Sequence, residues 1–249
     1  MKNYLMIIQY DGTSYNGWQK QGNTVNTIQE TVEKTLSNLL QEDIEIHGSG
    51  RTDAGAHALR QTANFKCSSI IDRDVFLQDI NRELPQDIRI CSMSEVDMNF
   101  HSRLSAISKS YDYNINNSDR ASVFRRKYVY NYVDKLDIEL MKKATTYLVG
   151  THDFRGFSSE KNLSKSCIRN LYEINIKENK NEITISFLGN GFIYNMVRII
   201  TGTLLEIGSG KKRMEDINKT FKTGKREFAG AMVPANGLFL SNVNYEGRI

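Results

Sequence analysis

"HGSGRTDAGAHALRQTANF", residues 47–65, is the stretch on which the reading of this chain turns. The residues before it, "IEIHGSG" (44–50), read as a strand running into a loop, and "LRQTANFK" (59–66) alternates like a second strand. Between them Gly48, Gly50 and Gly55 surround a single carboxylate, Asp53, whose neighbours Thr52, Ala54 and Ala56 are all small. Glycine admits tight backbone turns and close approach of another molecule. A strand–loop–strand unit with a carboxylate at its tip is an element of an antiparallel-looking sheet. It differs from the strand–helix step of a dinucleotide or P-loop site.

An aspartate in a glycine-rich loop ordinarily caps backbone amides. Two features argue for more. Arg51 precedes Asp53 by two positions, where strand alternation places both side chains on one face. Arg198 lies within "YNMVRIITG", the most apolar segment of the chain. A buried, unpaired charge costs roughly several kcal/mol, so this arginine either snorkels outward or meets a carboxylate. Asp53 is the natural partner. Such a pair keeps the carboxylate ionised and directed, as a nucleophile or general base requires. No second Asp or Glu occupies a comparable loop, and Asp11 reads as a turn residue. The paired carboxylates of ordinary glycoside hydrolysis are therefore missing, and metal-dependent phosphoryl transfer is equally disfavoured.

Working outward, "NYLMIIQY" (3–10) reads as a strand ending at Asp11 and Gly12. "YDGTSYNGWQKQ" (10–21) reads as a loop with Trp18 as a packing residue. Thr27 and Glu30 form a capping-box pattern. Ile28, Val32, Leu36 and Leu39 follow at helical spacing, which predicts a helix over 27–40. A second helix is expected over 72–83, opened by Asp72 and stopped before Pro85, and then a strand in "DIRICSMSEV". In "AISKSYDYNINN" (106–117), Ile107, Tyr111, Tyr113 and Ile115 share one strand face, interrupted by Lys109. Further expectations are a helix over 138–150 closed by Gly150, strands at 168–177 and 182–188, and a buried helix over 191–208 bent near Gly202. A short polar helix at 213–222 and a last strand in "GLFLSNVNY" complete the reading. The pattern is α+β, in two closely packed halves divided at 1–105 and 106–249.

Composition bounds the function. The 249 residues are 39% hydrophobic and 25% charged, an ordinary globular profile. The net charge of +4 is a weak argument for a polyanionic partner. More telling are the clusters Arg120, Arg125, Arg126, Lys127 and Lys211, Lys212, Arg213. The three cysteines are odd in number and lie outside any CxxC pattern, which argues against a disulfide framework or zinc and for a reducing compartment. No segment reads as a signal peptide or a membrane span, so a cytoplasmic protein with no membrane partner is expected. GxGxxG, GxxxxGK[ST] and HExxH are absent, and no metal and no small-molecule cofactor are expected. His57 reads as a residue that holds the loop through a backbone hydrogen bond.

"GSGRTDAGAHA" (48–58) resembles the signature loop of the tRNA pseudouridine synthase A family. "YDGTSYNGWQKQ" (10–21), "FHSRLSAISKSYDY" (100–113), "GFIYNMVRIITGTLLEIG" (191–208) and "VPANGLFLSNVNY" (233–245) agree with it in order. The resemblance implies two ferredoxin-like subdomains joined in one mostly antiparallel sheet. Helices would cover one side, and a central basic cleft would hold RNA. It implies a homodimer acting on tRNA, with no cofactor, to isomerise uridine to pseudouridine at positions 38–40 of the anticodon stem-loop. It casts Asp53 as the catalytic aspartate and Arg198 as its paired arginine. Tyr111 becomes the residue stacking on the uracil, Arg51 a residue that helps displace the base, and Leu238 an apolar contact beside the ring. Arg103 is a phosphate-binding candidate. Attack of Asp53 at C1′ or C6 and proton removal from C2′ all remain open, as does a base role for the Tyr111 phenol. Ala56 stands where valine is usual and Ser102 where alanine is usual. The same chemistry on ribosomal RNA, a non-catalytic RNA-binding relative, and a single-carboxylate hydrolase of small substrates are the rivals.

Overall fold

The computed structural model describes residues 1–160 and 166–245. In chain order they begin with β1 (Lys2–Tyr10), α1 (Ile28–Leu40), β2 (Ile46–Gly48), β3 (His57–Cys67), α2 (Arg73–Glu83) and β4 (Ile88–Val96). β5 (Ser108–Asn116), β6 (Tyr130–Asn131), α3 (Ile138–Thr145), β7 (Gly150–Asp153), β8 (Ile168–Asn179) and β9 (Glu182–Gly189) follow. α4 (Met196–Gly208), α5 (Glu215–Thr223) and β10 (Leu238–Asn244) close the series. The architecture is α+β, as the sequence pattern predicts.

The chain forms two compact units. The first holds Met1–Ile107 together with the chain from Phe239, and the second holds Ser108–Leu238. A division into 1–105 and 106–249 assigns the last strand to the second half. In the structure that strand returns instead to the first unit, where Phe239 and Leu240 pair in parallel with His57 and Ala58. Backbone pairing between residues 182 positions apart overrides proximity in sequence here.

In the first unit β1 is central. It pairs antiparallel with β4 on one side and with β3 on the other. The far edge of β3 is shared. β2 takes Ala63–Phe65 in antiparallel pairing, and β10 takes His57–Ala58. α1 starts because the Thr27 hydroxyl accepts the Glu30 amide proton, as the capping pattern predicts, and Asp72 caps α2 in the same way. Ile28, Val32 and Leu36 of α1, Met6 and Ile8 of β1 and Phe65 of β3 are fully buried and build this unit's core.

In the second unit β5, β9, β8 and β7 follow one another in antiparallel order, and the short β6 pairs in parallel with the end of β5. Tyr111, Tyr113 and Ile115 share the buried face of β5. Ile107 precedes the strand and is 38% exposed, so the expected face begins four residues later than predicted. α3 ends at Thr145. Gly150, at φ +112, opens β7 rather than closing the helix. α4 begins at Met196, because Asn195 sits in the left-handed region and breaks the run from 191. Gly202 marks a close approach: a Cβ there would lie 1.7 Å from the Ala231 carbonyl oxygen.

Candidate active site

The Asp53 loop is held in the first unit by a cradle that the "YDGTSYNGW" segment supplies. The Thr52 carbonyl accepts the Trp18 amide (3.1 Å), and the Tyr15 carbonyl accepts the Gly55 amide (3.3 Å). The Ala56 amide donates back to the Asp53 carbonyl (3.1 Å), with Gly55 at φ +79 turning the chain between them. The Tyr10 phenol and the Thr52 hydroxyl are 2.8 Å apart, both buried. Burial raises the Tyr10 pKa, so the phenol stays neutral as a hydrogen-bonding group. Upstream, the Ser49 hydroxyl donates to Gln61, which returns a hydrogen bond to the Gly50 carbonyl.

Two glycines make the fit possible. A Cβ on Gly12 would stand 1.9 Å from the Ala56 carbonyl oxygen, and one on Gly17 2.7 Å from the Thr52 carbonyl oxygen. Gly17 also sits at φ +89, a region that favours glycine. His57 closes the cradle from below. Its Nδ1 accepts the Gly12 amide at 3.1 Å and lies 3.2 Å from Asp11 Oδ1, and its ring stacks on Phe239 with centroids 4.6 Å apart. The loop-holding role read for His57 is what the structure shows. Asp11, expected as a turn residue, also receives the Thr13 amide.

Asp53 is half-buried within this cradle and Arg51 is exposed. The segment 49–56 is irregular, so strand alternation does not orient these two side chains. Arg51 Nε instead donates to Gln19 Oε1 at 3.1 Å. Arg103 is exposed in the loop between β4 and β5, where its amide donates to His101 Nδ1.

The remaining candidates lie in the second unit. Tyr111, in β5, is 6% exposed and meets the Phe192 ring edge-on at 5.0 Å. Arg198, in the first turn of α4, is half-buried. Its Nε donates to the Val233 carbonyl (2.8 Å) and its Nη1 to Asn195 Oδ1 (3.1 Å), which fixes the plane of the guanidinium. The left-handed Asn195 turns the chain so that this side chain can do so, a signal absent from the hydropathy pattern. Leu238 is buried at the end of the strap 233–238, which is tied down by Tyr113 Oη to the Pro234 carbonyl and by Asn236 to the Arg126 and Val129 carbonyls.

Of the basic clusters, Arg125 pairs with Glu182, and Lys211 pairs with Asp134 and lies over the Tyr132 ring. The sequence alone leaves these charges unassigned, and the two ion pairs reduce what they offer a polyanion. Among the described residues no group of three or more His, Cys, Asp or Glu is placed to hold a metal ion, and no helix is long and apolar enough to cross a membrane.

A family model described as tRNA pseudouridine synthase matches residues 6–104 and 144–246. Asp53, Arg51, Arg103, Arg198 and Leu238 fall inside the two matched blocks, and Tyr111 lies between them. tRNA pseudouridine synthase A 2 of Clostridium tetani is 43% identical over 245 residues, 98% of this chain and 99% of that protein. tRNA pseudouridine synthase A of Acetivibrio thermocellus and that of Clostridium acetobutylicum are each 44% identical over 98% of this chain and the whole of theirs. A match of this extent, falling on the loop and the helix described above, means that the chain belongs to the tRNA pseudouridine synthase family.

Proposed function

We propose that this protein isomerises uridine to pseudouridine at positions 38–40 of the tRNA anticodon stem-loop, with Asp53 as the reacting carboxylate. Membership of the family makes it an isomerase that acts on uridine in tRNA. The observation that carries the residue assignment is the cradle. A single half-buried carboxylate sits on a loop whose backbone is clamped at Thr52, Asp53 and Gly55, the preorganisation that positioning catalysis requires.

The reaction breaks the N1–C1′ bond, turns the uracil and forms a C5–C1′ bond. The C5 proton leaves and N1 gains one, so no electrons or groups are exchanged with a carrier. The base first leaves its stack, at a cost of roughly a few kcal/mol. Arg51 enters the space it leaves. Tyr111 stacks on the flipped ring, an interaction worth roughly 1–3 kcal/mol, and Leu238 lies beside it. Asp53 then acts at C1′, at C6 or on the C2′ proton. In this reading Arg198 pairs with Asp53, and the hydrogen bonds to Val233 and Asn195 supply the orientation. Two subunits share the grip on one tRNA, and the enzyme works in the cytoplasm.

The test is tritium release from tRNA labelled at uridine C5. Wild type releases label and Asp53→Asn releases none. An asparagine variant as fast as wild type would remove Asp53 from the chemistry. In the same assay Tyr111→Phe separates stacking, which it keeps, from proton removal by the phenol, which it loses.

A further inference from the structure

A second cluster of titratable side chains lies on the first unit, outside the residues assigned to the reaction. His47 in β2 and His101 in the loop after β4 stack with centroids 5.0 Å apart and planes within 19°. Both are half-buried. Lys66 follows two positions after Asn64, the β3 partner of His47, and so shares its face of the sheet. Arg103 is exposed beside them.

The frame under this cluster is built, not incidental. Asn3 and Asn64 are completely buried. Asn3 Nδ2 donates to the Asp97 and Phe100 carbonyls, Asn64 Nδ2 to Asn3 Oδ1, and the Ser102 amide to Asn64 Oδ1. Tyr245 Oη donates to the Ser102 carbonyl. The loop is thus pinned on both sides of His101, and the ring is fixed as well. His101 Nδ1 accepts the Arg103 amide at 3.1 Å, so the neutral ring carries its proton on Nε2 as a donor.

The charges facing His101 are mostly positive. Its pKa is lowered by burial first, then by His47, Arg103 and Lys66. Glu45 opposes Lys66 where the β2–β3 register is continued and so lies on this same face beside the lysine, while Asp97 accepts the Asn99 amide. Two stacked imidazoles next to a lysine and an arginine make a place for an external anion.

We infer that His47, His101, Arg103 and Lys66 form a binding site for an RNA backbone phosphate, and that filling it draws a second proton onto His101, at Nδ1, where it displaces the Arg103 amide. This rests on tRNA being the substrate. The phosphate accepts from His101 Nε2 and is flanked by the two permanent cations. A charge on the His101 imidazole, which burial and its cationic neighbours disfavour in the free protein, is offset when the anion arrives. Protons are bound more tightly in the complex than in the free protein, so affinity rises as pH falls through the histidine range.

The experiment measures affinity for unmodified tRNA by filter binding near pH 6 and pH 8 at fixed ionic strength. Wild type is compared with the double variant His47→Gln/His101→Gln and with Arg103→Gln. A one-unit rise in the histidine pKa on binding gives wild type roughly three- to fivefold tighter binding near pH 6 than near pH 8 relative to the double variant, approaching tenfold only below both pKa values. Arg103→Gln keeps that pH dependence in part and flattens the salt dependence of log K by about one phosphate contact. Equal pH dependence in wild type and a folded double variant, or an unchanged salt slope in Arg103→Gln, overturns the inference. Tritium release distinguishes this from failure of the reaction assignment. Wild type active and Asp53→Asn inactive, with no histidine linkage, sinks only the phosphate site. Absence of tRNA binding by wild type sinks both.

Discussion

Gly12→Ala tests the cradle with one methyl group. Built on Gly12, the Cβ lies 1.9 Å from the Ala56 carbonyl oxygen and 2.8 Å from its carbonyl carbon. Both are backbone atoms, so no rotamer relieves the clash, and Cβ contacts under 3.0 Å are essentially never seen. The Ala56 peptide must retreat by about 1 Å, a misplacement that costs about 100-fold in rate when it reaches a reacting group. It reaches the proposed one: the Ala56 amide donates to the Asp53 carbonyl, and the next residue, His57, bonds the Gly12 amide. Overpacking of this kind costs about 1–3 kcal/mol in stability. Urea denaturation and tritium-release kinetics measure the two effects on the same preparation. Gly22→Ala is the control: a Cβ at that position meets nothing within 4 Å, so neither stability nor rate should fall. Wild-type stability together with a wild-type rate in Gly12→Ala would refute the account of how the loop is held.

Three further outcomes are expected. Ser102 is fully buried and its hydroxyl has no partner among the described residues, so Ser102→Ala should stabilise the protein by about 1 kcal/mol in the same denaturation assay. The Glu42 carboxylate accepts the Ser68 and Ser69 amides and the Ser69 hydroxyl, which hold its pKa at about 2. A depressed folded pKa gives stability that is present above the unfolded value, about 4.3, and lost as pH falls toward 2. The Tm of Glu42→Gln should therefore lie below wild type at pH 6 and converge with it in acid. Arg198→Lys keeps the charge but loses the planar fork that reaches Val233 and Asn195, and tritium release should drop far more than Tm.

The helices with polar caps were legible in the sequence. Thr27 and Asp72 announce α1 and α2 because their side chains make the capping bonds themselves. The start of α4 was not legible. A hydropathy run cannot show that Asn195 takes φ +60, and Asn195 is what both delays the helix and orients Arg198. Gly12, Gly17 and Gly202 were visible as glycines, but their reasons lie in Ala56, Thr52 and Ala231, distant carbonyls that one sequence does not connect. Arg51 misled for a related reason. Alternation is a property of strands, and residue 51 lies past the end of β2, bonded to Gln19 instead. The stacked histidines were hidden as well, since positions 47 and 101 are brought together through the buried Asn3–Asn64 frame.

The parallel ladder between Phe239–Leu240 and His57–Ala58 has a consequence during synthesis. A ribosome must translate past residue 240 before His57 gains the ring it stacks on and β3 gains its last neighbour. The segment that carries the aspartate is made early but is completed late. A nascent chain stalled anywhere in the second unit exposes an unfinished strand edge, and premature termination there leaves the strand that follows the Asp53 loop without its β10 neighbour.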